Sequence, residues 1–131
     1  MNPTPANAKM TRMLLIFAHA MLVVLLNVFV ARPQSVTTST LLIAALAVAG
    51  GFGGCIYYAI GPLRRNDLSD AQFQTHLLMA LALAEFPALI SVFFVGTPYC
   101  YGVGVISLVG VLALILPAAL AFSPSLSESK T

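Results

Sequence analysis

An all-α membrane protein with four transmembrane helices in one bundle is the fold that this sequence predicts, and three features predict it. Charged residues make up 8% of the chain and hydrophobic ones 60%, whereas a soluble domain carries about 25% charged residues. Mean hydropathy is +0.97. The apolar residues fall into four runs, each near the roughly 20 residues that a helix needs to cross the hydrocarbon core. So few charges could not solvate a globular surface. The formal net charge of +2 comes without a basic run, which leaves no support for nucleic-acid binding.

Residues 1–12 (MNPTPANAKMTR) are polar, with two prolines and two cations, and read as a disordered arm. The first span follows at about 13–31, apolar except for His19 and Asn27. Lys9 and Arg12 before an apolar run also resemble the start of a signal peptide. The run exceeds the usual hydrophobic region of about 7–15 residues, and Phe29-Val30-Ala31 before Arg32-Pro33 is a poor cleavage site. A retained helix is therefore expected. Pro33 stops it.

The second span, about 40–60, has a glycine-rich centre. Ala47, Gly51 and Gly54 recur at helical spacing on one face, where small residues let two backbones approach closely in lipid. A phosphate loop is excluded, because the glycines lie inside a span and no Lys-Ser or Lys-Thr follows. Gly61-Pro62 ends the helix, and Arg64 and Arg65 stand just beyond it.

Ser69 and Gln72 have the spacing of a capping box, so the third helix should begin near Ser69, outside the hydrocarbon. Its apolar span runs from about 77 to 95. Ala80, Ala84 and Ala88 form a small-residue stripe, expected to meet the Ala47/Gly51/Gly54 face, and Pro87 removes one backbone donor. Gly96-Thr-Pro-Tyr-Cys is a tight connection, with Tyr99 and Tyr101 at the interface. The fourth span is about 101–122, bent by Pro117, and 123–131 reads as a disordered tail. Cys55 is expected in the core and Cys100 in the connection, at different depths and unbridged.

Orientation follows from the cations. A cytoplasmic N-terminus places Lys9, Arg12, Arg64, Arg65 and Lys130 inside and Arg32 alone outside. Both termini and the Arg64-Arg65 loop are thus expected in the cytoplasm of a bacterial-type inner membrane.

Glu85 is the residue that any functional reading has to explain. It lies near the middle of the third span, where a charge opposes insertion by about 2.5–3.5 kcal/mol on translocon scales. It is the candidate proton or cation site, or else a structural carboxyl paired with another intramembrane polar group. The neutral acid is cheaper in hydrocarbon than an unpaired carboxylate. His19 is the candidate partner, since the first and third helices run in the same direction at similar depth; Asn27 is a further polar candidate, more simply an interhelical hydrogen bonder. Glu85 is expected in the interface between the second and third helices. No cluster completes a metal site around His19, no cofactor is indicated, and no catalytic set of side chains assembles. An enzyme is not expected. The expected partners are the lipid bilayer and either further copies of the chain or other membrane proteins.

Residues 47–95 resemble the hairpin of the rotor-ring c subunit (proteolipid) of rotary ATP synthases. Gly50, Gly51, Gly53 and Gly54 match that family's glycine-rich helix, Arg64-Arg65-Asn66 its polar loop, and Glu85 its mid-membrane carboxylate. Ala-Leu-Ala-Glu-Phe-Pro-Ala-Leu-Ile is similar to the segment around that carboxylate. The resemblance covers under half of the chain, lacks the Arg-Gln-Pro loop signature, and leaves a helix on each side of the hairpin. It implies reversible protonation or cation binding at Glu85 within a homo-oligomeric ring.

Overall fold

The computed structural model describes residues 4–124. Four long apolar helices pack together, Pro5–Val30, Thr38–Arg64, Asp70–Val95 and Tyr99–Ala121, each long enough to cross a membrane. Within them the regular α segments are α1 (Pro5–Leu25), α2 (Thr38–Ile60), α3 (Asp70–Ile90), α4 (Tyr99–Gly110) and α5 (Leu116–Ala121). Wider π turns follow α1 at Leu26–Val30, follow α3 at Ser91–Val95, and join α4 to α5 at Val111–Ile115. The last of these precedes Pro117, whose missing N–H leaves a gap in the helical ladder.

Of the arm expected over 1–12, residues 5–12 are helical and residues 1–3 lie outside the described residues. Thr4 caps α1 by accepting from the Asn7 N–H at 3.3 Å, and Pro5 occupies the first turn, where an N–H has no helical partner anyway. The tail expected over 123–131 lies outside the described residues beyond Pro124. Both capping boxes, Thr37 with Thr40 and Ser69 with Gln72, are formed, so α2 starts at Thr38 and α3 at Asp70. Cys100 is not a connection residue: α4 opens at Tyr99, and Cys100 is fully buried in its first turn. Cys55 is buried in the core, and both thiols are free.

The bundle's outer surface is apolar. Phe17, Phe29, Leu46 and Val105 are all more than half exposed, an arrangement suited to lipid and unsuited to water. α3 is central, packing against α1, α2 and α4. Buried residues form two apolar clusters along the bundle axis. One contains Ile16, Phe73, Leu77 and Ile115, and the other Leu26, Val92 and Cys100.

The two ends close differently. At one, the 31–37 connection is stitched to the 96–98 connection: the Thr97 N–H donates to the Arg32 carbonyl at 3.2 Å, and Gly96 takes φ 72° against that same carbonyl. Only a residue without a Cβ fits there. At the other, Arg12 donates to Asp70 at 2.9 Å and lies over the rings of Phe73 and Phe122, which are themselves stacked 3.9 Å apart. Apolar walls and one carboxylate thus hold an arginine whose side chain is 7% exposed.

Candidate functional site: a polar layer around Glu85 and His19

The buried residues of α1 are Arg12, Ile16, His19 and Val23, a run at helical spacing that Leu26 and Asn27 continue. Its polar members meet different partners at successive depths. Arg12 meets Asp70, His19 meets Glu85 and Ser107, and Asn27 packs on Gly104. The middle layer lies between the two apolar clusters.

His19 Nδ1 stands 3.3 Å from Glu85 Oε1. Side chains lean toward the N-terminus of their own helix, so Glu85 reaches back along α3 to the depth of His19. The His19 side chain is 2% exposed and that of Glu85 23%. On the far edge of the ring, Nε2 is 3.4 Å from Ser107 Oγ, while that hydroxyl donates to the Ala84 carbonyl at 2.8 Å. With the Ser107 proton on the carbonyl, its oxygen accepts from the imidazole when Nε2 carries the ring hydrogen.

A proton shared by this pair can sit on either group. Either a neutral carboxyl faces a neutral imidazole, or a carboxylate faces an imidazolium. The two groups stand at hydrogen-bond distance, 3.3 Å apart. The chain of polar atoms ends at the Ala84 carbonyl, which has no proton to pass on.

Glu85 faces α1 instead of the expected interface of the second and third helices. The reason is angular. Gly51 of α2 lies against Leu83 and Pro87, and a residue two positions from each, at 100° per residue, points to the opposite side of α3. The partners of the small-residue stripes differ accordingly. Gly51 meets the Leu83 carbonyl and Pro87, and Gly54 meets the Leu83 side chain. Ala80, Ala84 and Ala88 are fully buried, Ala47 is 8% exposed, and Gly50 and Gly53 face open space.

Asn27 does not reach Glu85. It lies eight residues past His19, about 12 Å along the helix, and it donates to the Val23 carbonyl of its own helix at 2.9 Å instead of bonding across helices. Gly104 is the close neighbour that makes room for it. The sequence marks Arg12 only as an orienting cation and does not mark Ser107. Arg12 was legible in the i, i+4, i+7, i+11 spacing of Arg12, Ile16, His19 and Val23; Ser107 carried no signal, because a lone serine in an apolar span is unremarkable. Among the described residues, no three His, Cys, Asp or Glu side chains converge as metal ligands. Comparison with family models, curated proteins and solved structures finds no match.

Proposed function

We propose that this four-span membrane protein has a non-enzymatic role in which Glu85 binds and releases a proton within the bilayer, with His19 as the group that shares it. The observation that carries the reading is the 3.3 Å approach of Glu85 Oε1 to buried His19 Nδ1, with the carboxyl itself 23% exposed. Glu85 also keeps an accessible flank, on the same side of α3 as exposed Ala82 and Phe86. Exchange would take place on that flank, where a helix of another chain can reach the carboxyl. The tight packing of α2 on α3 and the proteolipid-like hairpin support the same reading, with another copy or another membrane protein as the partner. A ring is not needed to hold the carboxyl, because His19 covers it from within the chain. The cation bias supports a cytoplasmic location for both termini and the Arg64-Arg65 loop, in a bacterial-type inner membrane.

A second reading is favoured by the depth of His19 burial: Glu85 and His19 pair to fix α1 on α3 in a membrane assembly protein. One experiment separates the two. The purified protein in lipid nanodiscs is treated with a hydrophobic carbodiimide across a pH series. Slow, pH-dependent modification of Glu85, abolished in Glu85→Gln and altered in rate in His19→Ala, is the outcome expected of a proton site. Absence of modification at every pH would leave the structural pair as the better account.

A further inference from the structure

At the membrane boundary beside the Arg64-Arg65 loop there is a cleft of about 350 Å³ between the end of α5 and the 62–66 connection. Its polar wall is Arg64, Arg65 and Asn66, and its apolar wall includes Leu63, Ala118 and Phe122. We propose that this cleft binds the phosphate headgroup of an anionic phospholipid, with the acyl chains running down the outer surface of α5.

Four observations carry this. Arg64 ends the second span and Phe122 immediately follows the fourth, so the cleft opens at headgroup depth. Among the described residues, no carboxylate lines it. Arg64 is exposed and, among the described residues, makes no ion pair, while Arg65 commits Nε and Nη2 to Asp67 and keeps its third nitrogen free of that carboxylate. Lastly, Ala118 and Ala121 are too short to fill the space beside Phe122. A site with cations at the rim and small apolar residues below matches a molecule that is anionic at one end and hydrocarbon at the other. Free phosphate would satisfy the arginines and leave the apolar wall uncovered.

The test is lipid retention in native mass spectrometry of the full chain released from mixed micelles. Equal amounts of phosphatidylglycerol and phosphatidylcholine are offered, with inorganic phosphate in a separate arm. Phosphatidylglycerol should be retained preferentially. Arg64→Gln should lower that preference about fivefold, the effect of one cation beside an anionic headgroup, whereas Arg32→Gln at the opposite end should not change it. Ala121→Leu, an exposed position where the new side chain fills the cleft, should displace the lipid with the charge intact. Equal retention of both lipids, no effect of Arg64→Gln, or competition by inorganic phosphate as strong as by lipid would each overturn the proposal.

Discussion

Gly51 sits on the backbone carbonyl of Leu83: a Cβ at residue 51 would lie 2.6 Å from that oxygen. Pro87, four residues further along α3, has no N–H to give this carbonyl. The same Cβ would lie 2.5 Å from the proline ring. α2 therefore docks where α3 lacks a hydrogen bond, and the bare Cα of glycine allows contact with the freed oxygen.

Gly51→Ala should accordingly destabilise the bundle by about 1–3 kcal/mol, the usual cost of overpacking, because the obstacle is backbone and cannot swing aside. Gly50→Ala, with nothing within 4 Å of the added carbon, should be tolerated. Thermal unfolding of the two variants in the same detergent checks the contrast. Equal melting temperatures would show that α2 does not rest on Leu83.

The pairing of Glu85 and His19 predicts non-additivity. Glu85→Gln and His19→Ala should each lower stability, and the double variant should lose less than the sum, with a coupling of about 0.5–3 kcal/mol. Additive losses in a double-mutant cycle would mean that the 3.3 Å approach carries no energy.

Arg12 is held by Asp70, Phe73 and Phe122. Arg12→Gln should cost about 1–3 kcal/mol, below the figure for a fully enclosed pair because water still reaches the carboxylate. The Asp70 side chain is 35% exposed. Proteolysis or hydrogen exchange near Phe122 should rise in the same variant, since Phe122 loses the cation that covers it. An unchanged exchange pattern would count against a closing role for Arg12.

Arg65 and Asp67 make the opposite case. Their bond is short, 2.6 Å between Nη2 and Oδ2, and Arg65 holds the Asp67 carboxyl below its usual range, first through that hydrogen bond. The sign follows: any stability from this bond is present above the ordinary carboxylate range and is lost as pH falls through the depressed value. Both groups are fully exposed, so screening should leave little to lose. Wild type and Asp67→Asn should melt together from neutral pH down to about pH 4. A clear separation at neutral pH that closes on acidification would show that the loop pair matters.

Gly104→Ala should displace Asn27, whose Nδ2 would lie 2.7 Å from the added carbon. The loss should exceed that of Gly102→Ala, where the surroundings are open. Comparable melting of the two variants would remove Gly104 from the α1–α4 contact.

Composition and periodicity alone determined that this is an all-α chain with four spans, and they located the start of α3, because insertion energy and capping depend on residues near one another in sequence. They also marked Glu85 as a residue in need of a partner. The depth estimate that nominated His19 needed only helix direction and rise per residue. Which face of α3 meets which neighbour was decided by tertiary packing: Pro87 and Leu83 turned toward α2, and that placed Glu85 against α1. The helical start of the expected arm and the burial of Arg12 were decided there too, since a polar segment becomes worth ordering only when Asp70, Phe73 and Phe122 from distant parts of the chain enclose its cation. Ser107 entered the site by the same route. A hydroxyl in an apolar span acquires a role only when another helix brings a carbonyl and an imidazole to it, and no local pattern encodes that meeting.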